Sequence, residues 1–136
     1  MTVEERTREV HPLTLFAPEG ARLLMLGSFP PPRERWRMDF FYPNFQNDMW
    51  RIFGLVFFGD KSHFLTDDGR AFREAELRRF LTERGIAIWD TAMEVSRLQG
   101  NASDKFLEVL RPIDLRQTLA LLPSCRAIAV TGQKAL

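Results

Sequence analysis

A chain of 136 residues with 45% hydrophobic content can bury one core but not two, so a single domain over residues 1–136 is expected. A formal net charge of +1 excludes global basicity as a basis for nucleic-acid binding and leaves that role to local patches. The single cysteine, Cys125, excludes an internal disulfide, and no apolar stretch nears the ~20 residues of a membrane helix. Residues 1–10 are charged rather than leader-like, so a cytoplasmic setting without a membrane partner is expected.

Residues 1–20 read as a polar segment broken by Pro12 and Pro18. Residues 22–26 (RLLML) form a short apolar run that stops at Gly27, as a buried strand does. Pro30, Pro31 and Pro32 then exclude both helix and ladder, and the charged stretch 33–39 around Trp36 reads as an exposed loop. A helix is predicted over 47–57, capped by Asn44 or Asn47, with Met49, Trp50, Phe53, Val56 and Phe57 at helical spacing and Trp50 and Phe53 in the core. A second is predicted over 67–84, with Phe72, Leu77, Phe80 and Leu81 inward and Gly85 at its C′ position. Residues 86–89 (IAIW) give a second strand ending at Asp90. Further helices are predicted over 104–110, capped by Ser103, and from Pro112 through Leu122. Residues 126–130 (RAIAV) give a third strand before Thr131-Gly132-Gln133.

Strands alternating with helices predict an α/β fold, three-layer α/β/α around a central parallel sheet with the first strand in the middle. Ligands of such sheets bind beyond the carboxyl ends of the strands, which brings Gly27–Pro30, Asp90–Thr91 and Thr131–Gln133 together as a candidate site. Leu136 falls in the first turn of a helix that would cover the third strand. The natural domain is therefore expected to continue past it by at least one strand, leaving an apolar, partly exposed face beside the third strand.

Each candidate residue has a plainer reading beside its functional one. The exposed amides at Gly27 and Ser28 suit an anion or a base carbonyl, and also suit a simple turn. In Phe41-Tyr42-Pro43-Asn44-Phe45-Gln46-Asn47, an aromatic ring can stack on a flat base, and Asn47 can orient water or merely cap the helix. Asp90 can face the pocket or cap the next turn. Arg33, Arg35 and Arg37 around Trp36 can grip phosphates or form a solvated loop, and Lys134 at a helix start can meet a phosphate. His11 and His63 stand alone and read as surface residues.

Residues 23–30 with 41–53, residues 85–90 with Arg97 and 101–104, and residues 127–135 together resemble the three strand-end motif regions of the uracil-DNA glycosylase superfamily. They are most similar to those of its mismatch-specific uracil and hypoxanthine (deoxyinosine) members. The likeness spans residues 21–136 in order. It implies a parallel four-stranded sheet between helices and hydrolysis of the N-glycosidic bond of a damaged base flipped out of double-stranded DNA, with no metal or organic cofactor. It further implies that Tyr42 stacks on the base, that Gly27, Ser28 and Phe29 line its pocket, and that Asn47 positions the attacking water. Many members carry a water-activating Asn or Asp where this chain has Phe29, whose ring cannot accept a hydrogen bond. Two other readings follow from the same residues: a silent module that keeps the base pocket, and an unrelated flavodoxin-like domain.

Overall fold

The computed structural model describes residues 6–98 and 107–132. They form six strands, β1 (Arg6–Val10), β2 (Leu23–Gly27), β3 (Ile86–Asp90), β4 (Ala92–Leu98), β5 (Leu107–Pro112) and β6 (Ala127–Val130). The helices are α1 (Met49–Phe58), α2 (Glu74–Arg84) and α3 (Leu115–Ala120), with a 3₁₀ turn at Arg33–Arg35. Two compact units result, one built from the outer segments up to Phe29 and from Leu81, the other from Pro30–Phe80.

The first unit holds both sheets. In one, β2 lies between β3 and β6 and is parallel to each, with Leu23 opposite Ile86 on one side and Ala127 on the other. This is the arrangement predicted for the three apolar runs. A strand paired on both edges and covered on both faces tolerates only apolar side chains, and Leu24, Met25, Leu26 and all five residues of β3 are buried. The outer edge of β3 is closed by Phe16, whose N–H and carbonyl bond the carbonyl and N–H of Ile88 at 3.1 and 3.0 Å. On β6, Ile128 and Val130 are each 41% exposed. Gly85 ends α2 at φ 71°, a left-handed conformation in which a side chain is strained, and its carbonyl accepts the Arg22 N–H at 2.8 Å as β2 begins.

The second sheet was not legible in the sequence: β4 lies between β1 and β5, antiparallel to both. It overturns three expectations. Residues 6–10, read as part of a polar segment, form β1, because Glu9 opposite Val95 and Thr7 opposite Arg97 complete a ladder with β4. Residues 107–110, read as the end of a helix, form β5: the ladder to β4 outweighs local helix preference, and Leu107 joins Phe29, Ala92 and Val95 in a buried cluster. Pro112 ends that strand instead of opening a helix, and α3 starts later, where the Asp114 side chain accepts the Gln117 N–H at 3.0 Å. Residues 101–104 and Lys134 lie outside the described residues.

The second unit is built on aromatic contacts. Trp50 is fully buried, stacked on Phe40 and edge-on to Phe53, and its indole N–H donates to the Phe41 carbonyl at 2.9 Å. Phe53, Phe57, Phe58, Phe64 and Phe80 make a chain of ring contacts at 5.0–6.2 Å between centroids. Trp36, expected in an exposed loop, is buried because its indole N–H reaches the Pro31 carbonyl at 2.8 Å. Helix α2 starts at Glu74, not near residue 67, because Thr66–Arg70 close a polar turn: the Gly69 N–H bonds the Thr66 carbonyl, and the Asp68 carboxylate accepts from the Thr66 hydroxyl and the Arg70 N–H. Those two bonds, the Thr66 hydroxyl first, hold the Asp68 carboxyl below its ordinary range.

Candidate functional site at the strand ends

In the first unit, the parallel register sets Gly27 directly beside Asp90 at the carboxyl ends of β2 and β3. The chain leaving these ends is held by backbone bonds, Thr91 N–H to the Gly27 carbonyl at 2.9 Å and Ala92 N–H to the Ser28 carbonyl at 3.2 Å. At the end of β6, the Thr131 N–H and hydroxyl both donate to the Leu26 carbonyl, at 2.8 and 3.2 Å. Gly27, Ser28 and Asp90 are buried. Three of the strand-end positions singled out in the sequence therefore share one edge of one sheet, fixed by register.

The same edge contains a residue that sequence reasoning misplaced. His11 is buried, and its Nε2 lies 2.7 Å from Asp90 Oδ2. Its Nδ1 accepts the Leu13 N–H at 3.1 Å, which assigns the proton of the neutral ring to Nε2, so Nε2–H donates to the carboxylate. The imidazole packs 4.6 Å from Trp89 and edge-on to Phe29 at 5.2 Å, and the His11 backbone N–H donates to the Met93 carbonyl at 2.8 Å. A histidine that looks solitary in sequence is thus held by Asp90, Leu13, Trp89, Phe29 and Met93. A buried carboxylate needs such a donor, because an unpaired charge inside a protein costs several kcal/mol.

Phe29 is 8% exposed and sits in the cluster with Ala92, Val95 and Leu107. The Arg97 guanidinium lies 5.9 Å from its ring centroid and donates to Glu9 at 2.7 Å, so the buried cation is paired across β1 and β4. In the same unit, an open cleft of about 320 Å³ is lined by apolar residues including Leu15, Trp89 and Met93 and by the polar Arg111, Asp114, Gln117 and Thr118. No sequence signal marked it, since its walls come from four separate segments.

The remaining candidates belong to the second unit. Tyr42 has φ 51°, the sole non-glycine positive φ among the described residues, and its half-buried ring meets Trp50 edge-on at 5.6 Å. Non-glycine residues held in the left-handed region persist only where the surroundings impose it, and they cluster at functional sites. Asn47 Oδ1 accepts the Met49 N–H at 2.8 Å, and its backbone carbonyl accepts from Arg51 at 3.1 Å. It is the side chain that satisfies the start of α1, since Asp48 at the cap position makes no such bond. Arg33 and Arg35 are exposed on the 3₁₀ turn; the Arg33 guanidinium pairs with Asp39 and lies 4.2 Å from the Trp36 ring centroid.

A parallel strand trio with helices around it defines an α/β domain, and in such domains ligands bind beyond the carboxyl ends of the strands. The fold is uracil-DNA-glycosylase-like: it is similar to the solution NMR structure of "a putative Uracil DNA glycosylase from Methanosarcina acetivorans", with a TM-score of 0.69 and 23% identity over 95% of this chain and 73% of that one. No protein-family model matches the chain, and no curated protein matches it.

Proposed function

We propose that this chain is a DNA glycosylase domain that hydrolyses the N-glycosidic bond of a deaminated base, uracil or hypoxanthine, flipped out of double-stranded DNA. The observation that carries this reading is the likeness of fold, over 95% of the chain, to the protein named "a putative Uracil DNA glycosylase". The juxtaposition of Gly27 and Asp90 at the sheet edge supports it. In this reading the backbone at Gly27 and Ser28 meets the base carbonyl and Asp90 faces the base edge, while the resemblance in sequence gives Tyr42 the stacking role. Phe29 serves as an apolar wall behind the pocket rather than as a contact for water.

The bond from C1′ to the base nitrogen breaks, water bonds to C1′ and gives up one proton, and the base leaves as an anion that fixed dipoles stabilise and that takes up the proton. Asn47 orients the water. Its side-chain carbonyl has two lone pairs: the Met49 N–H takes one and fixes the direction of the other, which is left to accept from a water. Arg33 and Arg35, with Lys134, bind the phosphates around the lesion, which makes affinity fall as salt rises. Neither metal nor organic cofactor enters this chemistry.

A silent module that keeps the base pocket is the second reading, and one observation favours it: the Asn47 oxygen already has a full structural role at the start of α1. Strand nicking after alkali, on duplexes holding uracil, hypoxanthine or xanthine, separates the two. Excision of any of the three supports the enzyme; intact strands with retained duplex binding support the module.

A further inference from the structure

Asp90 is a buried carboxylate with one fixed end. Among the described residues only His11 hydrogen-bonds to it, through Oδ2. No buried side-chain oxygen among those residues lacks a partner, so Oδ1 is not a sealed, orphaned atom: it belongs to the 8% of the side chain that stays accessible. The carboxylate therefore engages the imidazole through one oxygen and keeps the other accessible, on a residue whose backbone is in register with Gly27. The imidazole cannot easily turn away. Its Nδ1 is held by the Leu13 N–H, its ring packs against Trp89 and edge-on to Phe29, and its backbone is held by Met93.

Tying the N-terminal segment to the parallel sheet would need only a contact, and the Phe16–Ile88 bridge on β3 already supplies one. What the His11–Asp90 bond adds is a definite side-chain torsion and a definite hydrogen-bonding sign. A neutral ring whose Nε2–H donates leaves the carboxylate an acceptor at its outer oxygen.

We propose that His11 is a positioning residue, which holds Asp90 so that Oδ1 is presented as a fixed acceptor to a ring N–H of the bound base. The inference rests on the glycosylase reading above. The ligand chemistry is a ring N–H next to a carbonyl, which uracil and hypoxanthine share and which a base methylated at that nitrogen lacks. His11 touches no reacting atom; it acts through Asp90.

The test uses free uracil and free hypoxanthine as probes, titrated into the protein while the Asp90 carboxyl carbon is followed by NMR, together with excision rates on duplexes carrying either base. Wild type, His11→Leu and His11→Gln are compared, the last because its amide N–H can replace the imidazole donor. Each rate is taken per folded molecule, well below the melting temperature of that variant. The expected result is a saturable shift at Asp90 with either base and none with the corresponding N-methylated base. His11→Leu should weaken that binding and lower kcat/KM about 10- to 100-fold, and His11→Gln should restore most of both. Equal binding in wild type and His11→Leu, or no shift at Asp90 with either free base, overturns the positioning role. Base binding that depends on His11 in a protein that excises nothing keeps it and removes the glycosylase reading instead.

Discussion

Tyr42 carries a φ of 51° while its ring stands edge-on to the buried Trp50, 5.6 Å between centroids. The backbone there is strained by about 1–2 kcal/mol for a residue with a Cβ, so strain and ring can be separated by substitution. Tyr42→Ala keeps the strain and loses the ring contact, and is expected to destabilise the fold by about 1–2 kcal/mol. Tyr42→Gly loses the same contact but relieves the strain, and should lie close to wild type in denaturant unfolding. Both variants should lose base excision, because neither can stack. A glycine variant as unstable as the alanine one would show that no strain is stored at this position.

Asn47 holds two roles that fall apart by measurement. Asn47→Ala removes the bond to the Met49 N–H, worth about 1 kcal/mol of stability. In the proposed mechanism it also removes the group that orients water, worth about 10²–10³ in rate, with duplex affinity nearly unchanged. Asn47→Asp should keep the cap. Wild-type excision by Asn47→Ala in single-turnover assays would leave Asn47 a cap and move the silent module ahead.

The parallel sheet was legible because β2, β3 and β6 are short apolar runs with turn residues after each, spaced by helical stretches, a pattern that fits strands of a parallel sheet. Gly27 and Asp90 could be placed at one edge for the same reason, since strand ends in parallel register fall side by side. The second sheet was not legible. Residues 6–10 and 107–112 owe their strand conformation to β4, and neither carries a local alternation strong enough to announce it. His11 failed for a related reason: its partner lies 79 residues away, and the Trp89 and Phe29 rings that enclose it looked like ordinary core. Asn47 was read as a cap or a site residue, and its bond to the Met49 N–H accounts for the cap.

The pairing of β1 with β4 is expected to loosen in acid. The Arg8 guanidinium donates to Glu94 at 3.0 Å, and that bond, ahead of the charge attraction, holds the Glu94 carboxyl below its ordinary range while raising that of Arg8. A carboxyl lowered by folding contributes stability that is complete above its unfolded range, about pH 4–5. The contribution is lost as pH falls through the lower folded value. Arg8 is largely exposed, so the effect is small and weakens in salt. Amide exchange in β1 should accelerate in acid more than exchange in β2, and Arg8→Ala should abolish the difference. Unchanged exchange in β1 across that range would show that the ladder alone holds the strand.

The buried pair beneath the strand ends makes a prediction independent of any activity. His11→Leu leaves the Asp90 carboxylate without its donor, and the loss of a charge-assisted bond in a closed site is expected to cost about 1.5–3 kcal/mol. Asp90→Leu leaves Nε2–H without its acceptor and should cost a similar amount, since the ring stays buried between Trp89 and Phe29. The double variant strands neither group. An apolar pair in place of a buried polar one is often neutral, so its cost should fall well short of the two singles added together. A cycle measured by urea unfolding should therefore give a coupling of at least about 1 kcal/mol, far above the error for sites that act alone. Strict additivity would mean that water reaches both groups in the single variants. The side chains would then sit in a wetter site than their burial implies, and the fixed direction of Asp90 Oδ1 would lose its physical basis.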